Sequence, residues 1–294
     1  MSALVSNVQR WGEMVKFGHS LFALPFALLA TFLAARPALP ELGQLGLILL
    51  CMVAARSAAM TFNRIADAAF DARNPRTAGR ALPAGTITRA AAWGFFGGSC
   101  AVFLLGCGGF HWVYGNPWPF RLALPVLALL CFYSYTKRFT RWSHLVLGTG
   151  ISSSTVAAWI AISPATLGPP AWLLMAAVLF WIAGFDMIYA CQDVEFDRRE
   201  GLYSVPARLG VPAALWLARG CHLVTVCTLV VVGSVARLGT LYYAGVVCVA
   251  VLLVIENALV SPRNLSRINL AFFTVNGVVG LVLGGLGILD VVLQ

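Results

Sequence analysis

Long apolar runs separated by short polar connections dominate the chain from about residue 17 to its end. Because about 20 apolar residues are needed to cross the hydrocarbon core of a bilayer, each run of that length predicts a membrane-spanning helix. The qualifying runs are 17–36, 43–66, 90–112, 119–136, 143–163, 170–190, 212–234, 239–260 and 268–292. The pattern therefore predicts an all-α, polytopic membrane protein with nine transmembrane helices.

The connections between these runs alternate between two kinds. The longer ones carry Lys and Arg: 72–89, 137–142, 191–211 and 261–267. The others are short and nearly uncharged: 37–42, 113–118, 164–169 and 235–238. Since basic connections are retained on the cytoplasmic side, we expect the N-terminus and the basic connections on the cytoplasmic side of the membrane. An odd number of spans then places the C-terminus on the opposite side.

Composition supports the same class of protein. The chain is 60% hydrophobic and 11% charged, whereas a soluble domain is about half apolar and a quarter charged. The net charge of +9 lies between the apolar runs, which favours the positive-inside pattern over nucleic-acid binding. The eight cysteines form no CxxC pair, so we interpret them as small buried hydrophobic residues. We expect one transmembrane domain over residues 1–294, in contact with the lipid bilayer and without an obligate protein partner.

A first polar cluster follows the second apolar run. Asn63, Asp67 and Asp71 are spaced i, i+4, i+8, so on a helix their side chains fall within about 80° of one another. At the centre of a bilayer each carboxylate costs about 2.5–3.5 kcal/mol. Two such residues on one face therefore indicate a functional site.

A second acidic cluster follows the sixth run. Asp193 and Asp197 are spaced i, i+4, and Asp186 precedes Asp193 by seven residues. If the helix is unbroken, the three carboxylates lie within about 40° of one another. A single Asp near a helix end is more often a solvated cap or an ion-pair partner. Two clusters on the same expected side, with arginines beside them, favour a site.

The residue types suit a magnesium-bound phosphate. Mg²⁺ takes oxygen ligands and is commonly held by one or two carboxylates together with phosphate oxygens of the substrate. Arg76 and Arg80 follow Asp71 closely, and guanidinium groups form bidentate bonds to phosphate. Carboxylates alone would repel a diphosphate, but carboxylates, metal and arginine together can bind one.

These motifs resemble the UbiA superfamily of membrane prenyltransferases. The resemblance rests on Asn63-xxx-Asp67-xxx-Asp71, on the pair Asp193-xxx-Asp197 and on Arg56 upstream of them. Two further segments are similar to family motifs: Arg76–Gly85, resembling R-T-x-x-R-x-L-P-x-G, and Tyr133–Thr140, resembling Y-x-x-x-K-R-[YF]-T. The segments Lys16–Pro25 and Tyr189–Pro206 look most like the 4-hydroxybenzoate polyprenyltransferase branch, including its menaquinone-pathway variant.

The resemblance implies a bundle of helices around a central cavity and an aromatic polyprenyltransferase. Such an enzyme transfers a polyprenyl group from a polyprenyl diphosphate to an aromatic acid, 4-hydroxybenzoate or a hydroxynaphthoate, in ubiquinone or menaquinone biosynthesis. It implies that Mg²⁺ is held by Asp67, Asp71, Asp193 and Asp197, with Asn63 assisting. It implies that the leaving diphosphate is neutralised by Arg76, Arg80 and Lys137.

Four more residues are candidates for substrate binding. Arg56 lies inside an expected span, so it either binds the acceptor carboxylate or forms an internal ion pair. Tyr133 could stabilise an allylic cation with its ring face, although plain helix packing is the commoner role of such a residue. Tyr189 lies near the acidic face and could touch a phosphate oxygen, and Asp186 belongs to that face.

Two other functions use intramembrane acids. An ion-coupled transporter would place carboxylates near the bilayer midplane beside broken helices. A lipid phosphotransferase would carry a denser aspartate motif on one helix. Here the acids lie at span ends beside arginine-rich connections, which fits a diphosphate better than a small cation.

Overall fold

The structure is a computed structural model that describes Trp11, Gly12, Met14 and residues 20–294, with side chains from residue 23 onward in the latter range. Lys16 to His19, part of one segment on which the family resemblance rests, lie outside these residues. The described part of the chain is helical and contains no named β-strand. The all-α class is therefore confirmed.

Twelve α-helices follow one another along residues 20–294. The first six are α1 (Ser20–Ala35), α2 (Leu42–Arg73), α3 (Arg89–Tyr114), α4 (Trp118–Thr136), α5 (Ser143–Ile162) and α6 (Pro169–Ala190). The others are α7 (Val194–Arg199), α8 (Val205–Leu209), α9 (Val211–Val235), α10 (Thr240–Leu259), α11 (Ile268–Leu270) and α12 (Asn276–Leu293). Short 3₁₀ turns lie at Pro164–Thr166 and Cys191–Asp193, and a π-helical segment, Ala271–Val275, joins α11 to α12.

Eight helical segments of the described chain are long and apolar enough to cross a membrane, and α1 adds a shorter apolar helix, Ala23–Ala35. These segments coincide with the predicted runs, so the chain is an integral membrane protein. Helix α2 runs beyond the predicted end at 66 as far as Arg73. Its last residues include three alanines, which favour helix, and it ends just before Asn74-Pro75, where a proline restricts its neighbour to extended backbone.

The second acidic cluster departs from the prediction. Helix α6 ends at Ala190, and the chain tightens into the 3₁₀ turn before α7 begins at Val194. Asp193 has φ −104° and ψ 8°, outside the α-helical region. The helix is therefore interrupted between Asp186 and Asp197, so the condition under which Asp186, Asp193 and Asp197 would share one helical face is not met.

Contacts divide the described residues into two compact units. The first unit comprises Leu47–Tyr135 with the described residues up to Ser20, and the second comprises Leu21–Gly46 with Thr136–Gln294. Each unit carries one acidic cluster, the first on α2 and the second on the segment from α6 to α7.

The first unit packs α2 against α3 and α4 through small side chains. Ala54 and Ala58 of α2 meet Phe103 and Cys107 of α3 and Ala123 of α4. Small residues at helix contacts let backbones approach closely, which is the usual basis of packing between membrane helices. The buried faces of these three helices thereby fix the position of the polar residues further along α2.

Helices α5 and α6 of the second unit approach each other closely at Gly148. A Cβ atom on Gly148 of α5 would lie 2.5 Å from the carbonyl oxygen of Leu179 on α6. No side chain fits at that distance, because the atom it would meet belongs to the backbone. Only glycine therefore permits this contact between α5 and α6.

A buried polar network crosses the same unit. The indole Nε1 of Trp181 donates to Asn276 Oδ1 at 2.7 Å, and Asn276 Nδ2 donates to Glu256 Oε1 at 2.8 Å. Asn276 Nδ2 also lies within hydrogen-bond distance of the Ala271 and Phe272 carbonyls in the π-helical segment. Asn276 and Glu256 are completely buried. The asparagine side chain thus connects Trp181 and Glu256 to carbonyls of the π-helical segment.

We expected the eight cysteines to be buried, but this expectation is wrong for some of them. All are free thiols, and Cys107 and Cys191 are the two that are fully buried. Cys227 and Cys248 are exposed on the surfaces of α9 and α10. In a membrane protein an apolar residue gains nothing from facing the protein interior rather than lipid, so an apolar run does not indicate which side is buried.

Candidate active site

The first acidic cluster lies on one side of α2 in the first unit. Asn63 Nδ2 donates to Asp67 Oδ2 at 3.2 Å and approaches the hydroxyl of Ser134 on α4 at 3.4 Å. Asp67 and Asp71 are almost completely buried, at 3% and 6% exposure. Buried carboxylates are costly unless they are hydrogen-bonded, paired or bound to a metal, so this placement is typical of a binding site.

Asp71 is the centre of the charged contacts in this unit. Arg80 Nη1 lies 2.7 Å from Asp71 Oδ1, and Arg64 Nη1 lies 4.0 Å from Asp71 Oδ2. Asp71 Oδ2 is buried and has no hydrogen-bond partner among the described residues. Oδ1 of Asp71 is therefore held by Arg80 at hydrogen-bond distance, whereas Oδ2 has only the more distant Arg64 cation beside it.

The connection after α2 folds so that Arg80 returns to the helix. The buried hydroxyl of Thr77 donates to the Asp71 carbonyl at 3.0 Å, and Asn74 Oδ1 accepts the Arg76 amide at 3.0 Å. Gly85 has φ +71°, a left-handed conformation that glycine adopts without strain. These contacts place Arg80 beside Asp71 and leave Arg76 exposed.

Arg56 lies on the same helix two turns before Asn63. Its Nε atom is buried and has no hydrogen-bond partner among the described residues. Arg64 and the Tyr133 hydroxyl interact with it electrostatically, and no ion pair of Arg56 with a carboxylate occurs among the described residues. Of the two roles expected for Arg56, the internal ion pair is thus not seen in the described part of the chain.

The second cluster lies in the second unit, around the end of α6. Asp186 Oδ2 lies 2.6 Å from Nδ1 of His144 on α5, a contact that the sequence analysis did not predict. Asp197 on α7 accepts a hydrogen bond from the Ser204 hydroxyl at 2.8 Å. Asp193, Lys137 and His144 are its charged or titratable neighbours. The structure therefore places Lys137 near Asp197 and ties Asp186 to a histidine.

Tyr189 and Tyr133 occupy different surroundings. The Tyr189 ring packs on Phe272 with centroids 4.2 Å apart and meets Phe273 edge-on at 6.3 Å. Tyr133 is partly buried on α4, near Arg56. Tyr189 is thus part of an aromatic cluster in the second unit, and its ring position is fixed by packing.

The donor set fits a hard cation that brings further ligands with it. Among the described residues no group of three or more His, Cys, Asp or Glu side chains is arranged to hold a metal by itself. Each cluster nevertheless offers carboxylate oxygens, and Asp71 Oδ2 is buried without a hydrogen-bond partner. Mg²⁺ commonly binds through one or two carboxylates plus waters and phosphate oxygens, so these residues fit magnesium carried with a phosphate ligand.

Three residues near the clusters were not identified from the sequence. Arg64 lies seven residues before Asp71, a spacing that places both on one helical face and could have revealed it. His144 carries no such signal because its partner is distant along the chain, and Ser204 carries none because it lies between two helices, outside the helical spacing of its partner. Their contacts arise from the tertiary packing of α5 and α8.

The fold and these clusters define an all-α integral membrane protein with two acidic sites flanked by basic side chains. The chain belongs to the UbiA prenyltransferase family, whose sequence signature matches residues 23–278.

Curated relatives support this assignment. A 4-hydroxybenzoate octaprenyltransferase from Photobacterium profundum is 34% identical over 192 residues, which cover 65% of this chain and 64% of the relative. One of the same name from Sodalis glossinidius is 31% identical over 205 residues, covering 69% of this chain and 68% of the relative. The matches to the Photobacterium profundum and Stutzerimonas stutzeri relatives span 64% and 57% of their lengths, which is less than two thirds.

Solved structures share the fold. The apo structure of a UbiA homolog from Aeropyrum pernix K1 has a TM-score of 0.83 and 30% identity, covering 92% of this chain and 98% of that one. A UbiA homolog from Archaeoglobus fulgidus, solved bound to DMAPP and Mg²⁺, has a TM-score of 0.73 at 18% identity, covering 97% and 100%. At that identity the second likeness establishes the fold alone.

Proposed function

We propose that this chain transfers a polyprenyl group from a polyprenyl diphosphate to the ring of an aromatic acid in quinone biosynthesis. The acceptor is 4-hydroxybenzoate or a related precursor such as a hydroxynaphthoate. The observation that carries the proposal is the pairing of Arg80 with Asp71 in a buried acidic cluster. Relatives named 4-hydroxybenzoate octaprenyltransferase support the benzoate class of acceptor.

Magnesium is the proposed cofactor. Asp67 and Asp71, assisted by Asn63, and Asp193 and Asp197 would hold it. When bound, Mg²⁺ supplies Lewis-acid stabilisation of the charge that develops on the diphosphate. The likeness to a magnesium-bound relative concerns the fold, so the proposal rests on the oxygen-rich donor set of this chain.

The basic side chains act on the leaving group. Arg76, Arg80 and Lys137 are proposed to bind the diphosphate oxygens and to neutralise charge as the allylic C–O bond breaks. Fixed cations aimed at developing charge stabilise a transition state strongly, because they need no reorganisation during the reaction. The bond electrons leave with the diphosphate, and the remaining allylic cation is attacked by the electron-rich ring of the acceptor.

Arg56 is proposed to hold the acceptor carboxylate. Its buried Nε atom has no hydrogen-bond partner among the described residues, and a guanidinium forms bidentate bonds to carboxylates. Such a bond would orient the ring toward the allylic carbon. After the new C–C bond forms, loss of a ring proton restores aromaticity.

The proposed orientation follows the basic connections. The N-terminus and both acidic clusters are placed on the cytoplasmic side of a bacterial inner membrane, with the C-terminus opposite. A water-soluble aromatic acid would then reach the site from the cytoplasm, while a polyprenyl tail stays in the bilayer.

The test incubates membranes containing the chain with a labelled polyprenyl diphosphate and each aromatic acid in turn, and identifies the product by mass. We expect a prenylated acid whose formation stops with EDTA and returns with Mg²⁺. Asp67→Asn and Asp193→Asn should each lower turnover by at least on the order of a hundredfold. Glu195→Gln, which changes an exposed acid beside the second cluster, is the matched control. Undiminished product in EDTA, or full activity in both Asp variants, would contradict the proposal.

A further inference from the structure

Three consecutive residues after α7 are held by contacts to three different parts of the second unit. The amide of Tyr203 donates to the Lys137 carbonyl at 2.6 Å. The hydroxyl of Ser204 donates to Asp197 Oδ2 at 2.8 Å. The amide of Val205 donates to His144 Nε2 at 3.2 Å. This 203–205 segment therefore connects the Lys137 main chain, an acidic side chain and a buried histidine.

His144 uses both of its ring nitrogens. Because Nε2 accepts the Val205 amide, the ring proton lies on Nδ1, which donates to Asp186 Oδ2 at 2.6 Å. His144 is 2% exposed, and Val205 is completely buried. Because both nitrogens are engaged and the side chain is almost completely buried, the ring is held in one orientation.

Ser204 transmits the position of this segment to Asp197. Its hydroxyl donates to the carboxylate and accepts the Ala207 amide at 3.3 Å, which caps the first turn of α8. With both partners fixed, the hydroxyl follows the backbone of its neighbour Val205. A displacement of the Val205 amide would therefore move the hydrogen bond that orients Asp197.

We propose that His144 is a positioning residue for the second acidic cluster. The His144–Asp186 pair holds the Val205 amide, and through the 203–205 segment it sets the orientation of Asp197 and of the Lys137 main chain. Asp186 fixes the ring tautomer by accepting the hydrogen bond from Nδ1. This inference rests on the proposed function, in which Asp197 and Lys137 act on a magnesium diphosphate.

Two amide substitutions separate the two contacts of the ring. In His144→Asn the shorter side chain reaches the position of Nδ1, so the contact to Asp186 is kept and the acceptor for Val205 is lost. In His144→Gln the longer side chain places an amide oxygen near the position of Nε2, so the acceptor for Val205 is kept. Both variants remove the imidazole, and the pair therefore controls for loss of the ring itself.

The first measurement needs no activity. Hydrogen exchange of the full-length protein in detergent reports the amides of residues 203–207. We expect faster exchange there in His144→Asn and near wild-type exchange in His144→Gln. His222→Asn is the matched control, because His222 is another buried histidine of this unit that contacts Asn257 instead. It should leave exchange at 203–207 unchanged.

The second measurement follows the thermal stabilisation of the same proteins by MgCl₂ with geranyl diphosphate. Removing groups that orient metal ligands lowers metal affinity by about 10–100-fold, so the half-stabilising Mg²⁺ concentration should rise by about that factor in His144→Asn. It should stay within about twofold in His144→Gln and His222→Asn. A general loss of stability would instead shift all three melting curves without changing this concentration.

If His144→Asn and His144→Gln show the same exchange at residues 203–207, or the same half-stabilising Mg²⁺ concentration, the proposed role of the Val205 contact is wrong. Unchanged exchange in His144→Asn would also overturn it. If wild-type protein gains no stability from magnesium and geranyl diphosphate, the proposed function fails. The exchange comparison then still decides whether His144 holds the 203–205 segment.

Discussion

Arg80 Nη1 lies 2.7 Å from Asp71 Oδ1, so the connection after α2 returns a cation to the acidic face of that helix. The two residues are nine positions apart, and the ion pair depends on the turns between them. The pair lowers the cost of burying Asp71 and places a guanidinium where a diphosphate is proposed to bind. One interaction therefore serves both stability and the proposed chemistry.

The first prediction concerns Arg80. Replacing it with alanine should raise the apparent KM for the polyprenyl diphosphate by about 10–100-fold, because a hydrogen bond to a charged group contributes about 1.5–3 kcal/mol. Steady-state kinetics with the diphosphate varied would measure this. The apparent KM of Arg80→Lys should lie between those of the wild type and the alanine variant, because lysine keeps the positive charge but lacks the planar guanidinium group. An unchanged KM in the alanine variant would remove Arg80 from the diphosphate site.

The second prediction separates acceptor from donor. Arg56→Ala should raise the KM for the aromatic acid by about 10–100-fold and leave the KM for the polyprenyl diphosphate nearly unchanged. The physical reason is the buried Nε atom, which has no hydrogen-bond partner among the described residues. Kinetics with each substrate varied at saturating levels of the other would show the split. Equal increases in both constants would indicate that Arg56 supports the whole site rather than the acceptor.

The sequence predicted the helical face of the acidic cluster on α2 but not the backbone geometry of the acidic segment after α6. The i, i+4, i+8 spacing on α2 was sufficient, because the helix continues through Arg73 and keeps the face intact. The 3₁₀ turn Cys191–Asp193 contains no Gly or Pro, so nothing in the local sequence marks the end of α6. The second face was predicted on the condition that the helix is unbroken, and the 3₁₀ turn does not meet that condition.

The features that the sequence did not predict depend on contacts between residues that are far apart along the chain. His144 and Asp186 are 42 positions apart, and their pairing requires α5 to pack against α6 at the Gly148 contact. Glu256 lies near the end of the apolar run 239–260, and its partner Asn276 lies on another helix. Apolar run length predicts membrane-spanning helices but not which faces meet, because the lipid is as apolar as the protein interior.

The third prediction tests the close approach of α5 and α6. Gly148→Ala should destabilise the protein by about 1–3 kcal/mol, because the new methyl group would meet the Leu179 backbone, which cannot move aside. Gly285→Ala is the matched control. It lies on α12 with open space around it, so alanine there should be neutral or stabilising by up to about 1 kcal/mol. Thermal unfolding in detergent compares the two, and equal melting temperatures would contradict the close contact.

The fourth prediction concerns the buried network around Asn276. Asn276→Leu leaves Trp181 Nε1 and Glu256 Oε1 without the partners that they have in the structure. Each buried polar group without a partner costs about 1–3 kcal/mol, so we expect a loss of about 3 kcal/mol in stability. Glu256→Leu should cost less, since Glu256 Oε2 already lacks a hydrogen-bond partner among the described residues.

The double variant Asn276→Leu/Glu256→Leu provides the control for that prediction. Removing both members of the Asn276–Glu256 pair avoids leaving the Glu256 carboxylate alone, although Trp181 Nε1 still loses its acceptor. The stability of the double variant should therefore be higher than the sum of the single losses predicts, by about 0.5–3 kcal/mol. Denaturant or thermal unfolding of the four proteins in one detergent completes the cycle. Additive losses would show that the two side chains do not stabilise each other.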